Sequence, residues 1–224
     1  MMCRMFYRIV LIILIGILSS TVVFADQIAV TEDGKKVLLK DDGTWEYVKE
    51  EPKKEDLYDF RKTNWGMNKA EVKKTEKSKI VKEDENLLAY QGNVGGLECF
   101  ILYIFAEGKL VRGKYVFTVT HSNKNDYILD YSTLKEFLVK KYGKPIKDSQ
   151  LWKNDLYRDE YQNWGFAVSL GHLVYFADWE TPNTHIILAL YGENYEITLA
   201  IEYQSKKLKK LEEKEKEKKA LDEF

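Results

Sequence analysis

The residues that could carry chemistry are few and scattered along the chain. There are 3 histidines, His121, His172 and His185, and 2 cysteines, Cys3 and Cys99. A structural zinc site needs closely spaced cysteine and histidine ligands. None of the histidines has a second ligand at helical or hairpin spacing. The sequence therefore predicts neither a metal site nor a cofactor.

Motifs for nucleophilic and phosphate chemistry are also incomplete. The Ser-Leu-Gly-His stretch at 169–172 lacks the Gly-x-Ser-x-Gly pattern of a nucleophile elbow. The glycines between 92 and 96 follow a predicted strand but open no helix, which is typical of a turn rather than a phosphate cradle. We therefore predict a protein that is not an enzyme and assign no catalytic residue.

An envelope hydrolase acting on peptide or glycan is the alternative. Its catalytic groups would come from His172, His185, Asp178 and Glu180, of which at least two would have to converge in a cleft. The aromatic residues nearby would then serve as a platform for the substrate.

The strongest compositional cluster is aromatic. Trp152, Tyr157, Tyr161 and Trp164 alternate with charged and amide side chains. Amphipathic rings in such a polar setting are typical of protein interfaces, and we name these four as candidate binding residues. Core and cross-strand packing is the competing interpretation, because aromatic residues favour strands. Phe166 and Phe176 are assigned to that core.

One helix organises the region around these candidates. Thr133 and Glu136 have the spacing of a capping box, which predicts a helix from Thr133 to Tyr142. Gly143 suits the helix end, and Pro145 prevents its continuation. An apolar stripe runs along one side of this helix and is expected to face a core. The stripe consists of Leu134, Phe137, Leu138 and Tyr142.

The remaining pattern predicts two similar halves, 60–125 and 126–203. Each half is a helix followed by an antiparallel meander, and the first helix is capped by Asn68 with Glu71. Apart from Glu98, the segment 97–105 is apolar at both odd and even positions, so we expect a strand buried on both faces. We also expect a strand over 161–170. We predict an α+β fold whose two halves form one curved sheet. The Asn163-Trp164-Gly165 motif repeats Asn64-Trp65-Gly66, but no helix is predicted to follow the second copy.

Two further segments flank these halves. Residues 26–48, with Asp-Gly turns at 33–34 and 42–43, predict a small β-meander at the front. The charged stretch 49–59 predicts a linker. Residues 204–224 are mostly Lys and Glu and predict a charged C-terminal helix. That helix is interpreted as solvated, with partner binding as the alternative.

The N-terminus predicts export. Arg4 and Arg8 precede the apolar run 9–18, and Ala25 occupies the expected cleavage point, so residues 1–25 read as a signal peptide. Cleavage would leave Asp26 first, with no stable membrane span and no partner for Cys99. A periplasmic or secreted location follows, and an uncleaved membrane anchor is the alternative. The net charge of −1 gives no case for nucleic acid.

Three short motifs resemble known exported bacterial proteins. Residues 33–47 follow a DGxxVxLxxDGTWxY pattern that occurs near the N-terminus of such proteins, and no activity accompanies it. Residues 64–72 and 141–145 resemble an uncharacterised exported family. The overall order is similar to that of the β-lactamase-inhibitor-protein-like group. That resemblance implies tandem helix-plus-sheet units forming a curved sheet that binds proteins. The disulfides of that group are absent here, so lactamase inhibition is not implied.

The combined expectation is an exported binding protein of the cell envelope without enzymatic activity. It would use an open sheet face, and its partner would be another envelope protein or a peptide.

Overall fold

A computed structural model describes residues 27–31, 35–40, 42–48 and 58–222. The chain divides into two compact units, Met1–Glu51 and Pro52–Phe224, which are described separately. The architecture confirms the predicted α+β class, with a small β-meander first, a larger antiparallel sheet after it and a helix last.

The front unit is a three-stranded antiparallel sheet of β1 (Gln27–Val30), β2 (Lys36–Leu39) and β3 (Trp45–Tyr47). The predicted turn at Asp42-Gly43 joins β2 to β3, and Gly43 takes the required positive φ of 81°. The Asp42 carboxylate accepts from the Thr44 backbone N–H at 2.8 Å, and the hydrogen bonds from Thr44 lower the pKa of Asp42. The turn predicted at 33–34 lies outside the described residues.

The second unit contains four helices and eight strands within its described part. Their order alternates one helix with a run of strands, with an additional short helix in the second run. The elements are α1 Lys69–Thr75, β4 Ile80–Asp84, β5 Leu87–Val94, β6 Leu97–Ala106, β7 Lys109–Phe117, α2 Asp126–Tyr142, β8 Lys147–Trp152, α3 Trp164–Ser169, β9 Leu173–Glu180, β10 Thr184–Glu193, β11 Glu196–Ser205 and α4 Lys209–Asp222.

The eight strands form one antiparallel sheet in the order β4-β5-β6-β7-β11-β10-β9-β8. Each half contributes a meander of four strands, and the last strands of the two meanders, β7 and β11, pair at the centre. The strand order is therefore mirrored about the β7–β11 seam. This continuity explains why two helix-plus-meander units share one core.

The two predicted capping boxes have different outcomes. Asn68 accepts from the Glu71 N–H at 3.0 Å, and the Glu71 carboxylate accepts from the Asn68 N–H at 2.8 Å, which confirms the cap of α1. The box at Thr133 is wrong, because α2 already begins at Asp126 and Thr133 lies inside it. The preceding segment is itself helical, and helix propagation through Thr133 overrides the local start signal.

The stripe of α2 is only partly buried. Leu134 and Leu138 are buried as predicted, whereas Phe137 is 46% exposed. Ile128 and Tyr131, which come before the predicted start of the helix, are buried instead. The buried side of α2 therefore starts earlier in the chain than predicted and does not include Phe137.

The strand predicted over 161–170 is wrong. Residues Tyr161–Asn163 form a 3₁₀ turn and Trp164–Ser169 form α3, so a helix does follow the Asn163-Trp164-Gly165 motif. Ala167 and Val168 of α3 are fully buried. The apolar run in this segment is a short buried helix, a case in which periodicity alone does not separate helix from strand.

Phe60 closes the core over the first half of the sheet. It lies in a tight turn to Thr63, with Arg61 in the left-handed region at φ 54°. Its ring lies 5.1–5.2 Å from the rings of three tyrosines, and its face covers Gly113 of β7, where a Cβ would come within 2.2 Å of the ring. The tyrosines are Tyr103, Tyr115 and Tyr203.

A buried ion pair accompanies this aromatic cluster. The Arg61 Nε donates to the Glu76 carboxylate at 2.6 Å, and the side chain of Glu76 is only 4% exposed. The Tyr103 hydroxyl also donates to Glu76. A carboxylate at this depth needs these donors, because an unpaired buried charge is strongly destabilising.

Alkaline pH is expected to destabilise the fold. Burial raises the pKa of Tyr115 from 10.0 to about 12 and that of Cys99 from 9.0 to about 11. The native state keeps protons that the unfolded state releases, so stability is constant below the unfolded pKa values and falls as pH rises through the folded ones. Above pH 10, the part of the tyrosinate absorbance that comes from the buried tyrosines should appear together with the loss of the circular dichroism signal. Tyrosinate forming in full before any loss of structure would contradict this burial.

The C-terminal helix α4 is anchored to one end of the sheet. The helix begins at Lys209, later than the predicted range 204–224. Residues 204 and 205 belong instead to β11. Glu212 pairs with Arg112 of β7, and its side chain is 7% exposed. Glu215 accepts from the Asn86 amide at 2.7 Å and from the Glu107 N–H at 2.9 Å. These contacts hold α4 beside the turns of the first half.

Candidate functional site

The sheet has one covered face and one open face. The covered face carries the main core and packs against α2 and α3, with Val72 of α1. The open face is formed by the alternate residues that point away from those three helices. Only α4 lies on it within the described residues, at the end marked by Arg112. The open face is therefore a sheet surface that the described helices leave largely accessible.

An apolar row crosses the open face at right angles to the strands. Strand register places its members side by side on five neighbouring strands. At a strand spacing of ~4.8 Å, the row is about 19 Å long. Its ends are aromatic and its centre is small. The members, from β6 to β9, are Phe100, Val116, Ala200, Ala189 and Phe176.

The apolar row has charged neighbours. Lys114 and Arg112 of β7 both pair with Glu202 of β11, at 3.6 and 3.3 Å. At the other end, the Lys147 ammonium lies 4.7 Å from the centre of the Phe176 ring, a cation–π contact. Two of these three cations share the Glu202 carboxylate, so the apolar strip is bordered by partly neutralised charges. This is the composition expected of an interface core with a polar rim.

The prediction that β6 is buried on both faces is wrong. Cys99, Ile101 and Tyr103 face the core, whereas Phe100 on the other parity is 40% exposed. Phe176, assigned to the core from sequence, also lies on the open face, where it pairs in register with Ala189. Both residues are apolar side chains at the strand positions that alternate with the core-facing ones. This pattern, visible in the sequence, could have indicated an apolar surface on the other face.

The four aromatic candidates lie elsewhere. Trp152 pairs with the buried Leu173, which places it on the covered side of the sheet. Trp164 contacts Trp152 at 5.7 Å and Tyr161 at 5.0 Å between ring centres, so the structure brings these three together. Tyr157 is separate and stacks on His172 at 6.2 Å.

Packing accounts for much of this aromatic set. Trp152, Tyr157 and Trp164 are half-buried against the core, and the Trp164 indole donates to the Arg158 carbonyl at 3.0 Å. Tyr161, at 58% exposed, is the member with most free surface. The binding role of these four residues stays a prediction, and their position separates it from the open face.

The histidines give one pair with chemical potential. The His185 Nε2 lies 3.8 Å from a carboxylate oxygen of Asp178, on neighbouring strands of the open face. Glu180 is the register partner of His185, but its carboxylate accepts from Lys206 at 2.7 Å. That hydrogen bond lowers the pKa of Glu180. Two of the four residues required by the hydrolase alternative therefore meet, while His172 stacks on Tyr157.

Comparison with protein-family models, with curated proteins and with solved structures finds no match to the chain. Residues 27–31, 35–40, 42–48 and 58–222 include no helix with the length and apolar character needed to span a membrane. The same ranges contain no group of three or more His, Cys, Asp or Glu side chains arranged to hold a metal ion. The geometry of the open face is thus the main basis for a functional proposal.

Proposed function

We propose that this protein is an exported, non-enzymatic binding protein of the cell envelope. Its open sheet face would bind a helical segment of another envelope protein or of a peptide. The observation that carries the proposal is the apolar row, which leaves Phe100 40% exposed at one end of a strip of apolar side chains on the sheet face. Apolar surface of this kind is costly to leave in water unless a partner covers it.

The dimensions of the row favour a helix as the bound element. The two aromatic ends, Phe100 and Phe176, lie four strand spacings apart, which is about 19 Å. An α-helix with its side chains is ~10–12 Å wide. It would therefore fit along the strands, above Ala189 and Ala200 and between the two rings. The row would receive the apolar side of an amphipathic helix, and the ion pairs around it would contact the polar side.

Site-specific photo-crosslinking in cells that export the protein would test this function. A benzophenone amino acid at Phe100 or Phe176 is expected to capture a partner. The same group at Leu129 of α2, which is 58% exposed and points away from the open face, is the matched control. Ala189→Arg should reduce the yield at position 176 by about tenfold or more, because a buried unpaired charge weakens an interface by several kcal/mol.

Two results would refute the proposed binding mode. One is equal capture from Leu129 and from Phe176. The other is an undiminished yield in the Ala189→Arg variant, provided that its melting temperature is unchanged. Mass analysis of the captured chain tests export in the same experiment. A first residue of Asp26 is expected, and retention of residues 1–25 would instead support the membrane anchor.

The envelope hydrolase remains a second candidate because His185 and Asp178 meet. A general base needs a neighbour that orients it by a hydrogen bond. Asp178 lies beside His185, but at 3.8 Å it would have to move closer to form that bond. We favour binding, because this pair lies on an open sheet surface and the nucleophile motifs are incomplete. Loss of peptide or glycan hydrolysis by the purified protein on His185→Ala, with binding retained, would favour the hydrolase.

A further inference from the structure

A cavity at one end of the second unit is distinct from the open face. Its volume is about 420 Å³, within the range of small-ligand sites. The loop that carries Phe60, the start of β7, the β9–β10 turn and the end of β11 form its walls. The polar and aromatic side chains that line it are Asp59, Trp65, Lys109, Asn183, Ser205 and Lys207.

The walls of this cavity are held by hydrogen bonds between distant parts of the chain. Gly66 donates to the Leu110 carbonyl at 2.9 Å, and Leu110 donates to the Met67 carbonyl at 2.8 Å. On the other side, Lys206 donates to the Asn183 carbonyl at 2.9 Å. The Trp65 indole N–H donates to the Thr184 hydroxyl at 2.9 Å and connects the two sides. The cavity is thus largely preformed, which lowers the entropic cost of binding.

The lining has an excess of positive charge and free donors. Lys206 is neutralised by Glu180, but Lys109 and Lys207 pair with no carboxylate in the described part of the chain. Asp59 is the acidic member, and one of its oxygens accepts from the Trp65 backbone N–H at 2.9 Å. Ser205 is 1% exposed. Its hydroxyl oxygen accepts a hydrogen bond from the Leu208 backbone N–H, so the hydroxyl proton remains able to be donated.

We infer that this cavity binds a small organic anion. Lys109 and Lys207 would attract the anionic group, while Ser205 and Asn183 would donate hydrogen bonds to it. The half-buried Trp65 indole would contact an apolar part of the same molecule. A second cavity of about 300 Å³ shares Asp59 and Asn183 with the first, and it adds Lys141. The anion could be a carboxylate or a phosphate, since both match two lysines and two neutral donors.

Titration calorimetry on the full mature chain separates these two sources. The ligands are inorganic phosphate, N-acetylphenylalanine and, as the neutral control, N-acetylphenylalanine amide. The double variant Lys109→Met/Lys207→Met should lower the affinity for the anion about tenfold or more, because it removes both cations that would form charge-assisted hydrogen bonds to the anion. Lys153→Met, a lysine far along the chain with no ion pair among the described residues, should leave the affinity within about twofold.

Each outcome decides the matter. Binding of N-acetylphenylalanine but not of its amide supports a carboxylate ligand with an apolar part. Binding of phosphate alone supports the anion site and identifies phosphate as the ligand chemistry. The absence of saturable binding by either anion overturns the inference, as does an equal affinity in the double variant. Thermal melting of each variant checks that the fold is retained, and the crosslinking result at Phe100 does not depend on this cavity.

Discussion

Replacing Phe60 with alanine is expected to lower the free energy of unfolding by about 3–5 kcal/mol, the cost of a large cavity in an aromatic core. Phe60 is 2% exposed and contacts three tyrosine rings at 5.1–5.2 Å. The loss would leave a void above Gly113, because the three atoms nearest to a Cβ at that position all belong to the Phe60 ring. Urea unfolding monitored by circular dichroism provides the measurement.

Phe137→Ala is the matched control for this change. It removes the same side chain from a position that is 46% exposed, so it should cost about 1 kcal/mol. The contact itself is tested by Gly113→Ala, whose Cβ would lie 2.2 Å from the Phe60 ring. That change should cost about 1–3 kcal/mol in the native protein and nearly nothing in the Phe60→Ala background. Additive effects would show that Phe60 does not close the core.

The fold class was predictable because it depends on local patterns. The Asn68–Glu71 cap and the Asp42-Gly43 turn are fixed by neighbouring residues, and both appear as expected. The strand-to-helix error at 161–170 arises where the local signal is ambiguous. Its apolar residues reach the core as a short helix because Gly165 allows a close approach to the segment before α2. Such an approach is a property of the tertiary structure and leaves no periodic trace in the sequence.

The candidate site was only partly predictable for a related reason. An open sheet face was expected from strands with one polar parity. Its apolar row depends on residues that break the alternation, namely Phe100 in β6 and Val116 in β7. Within its own strand, each of these residues is an isolated apolar side chain on the face expected to be polar. Their alignment is set by strand order, and β7 pairs with β11 from the other end of the chain. By contrast, three of the aromatic candidates, Trp152, Tyr161 and Trp164, lie together because they are close in sequence, so no knowledge of strand order is needed to group them.

Gly165→Ala is expected to destabilise the protein by about 2–3 kcal/mol, although local propensity predicts the opposite sign. Within a helix, alanine is favoured over glycine by ~1 kcal/mol. At this position, however, a Cβ would lie 2.2 Å from the Lys124 carbonyl carbon and 2.4 Å from the Asn125 nitrogen. Backbone atoms cannot rotate away, so α3 or the start of α2 would have to move.

Movement of α3 would break further contacts. The cost of the clash should therefore exceed the free energy that alanine gains from its higher helix propensity. The Asn125 side chain accepts from the Gly165 N–H at 2.6 Å and donates to the Tyr161 carbonyl at 3.0 Å. Thr133→Ala in α2 is the control. A functioning capping box would make it cost ~0.5–2 kcal/mol, but Thr133 is an exposed residue inside the helix, and the expected change is within about 0.5 kcal/mol. A stabilised Gly165→Ala variant in urea unfolding would show that α3 does not pack against residues 124 and 125.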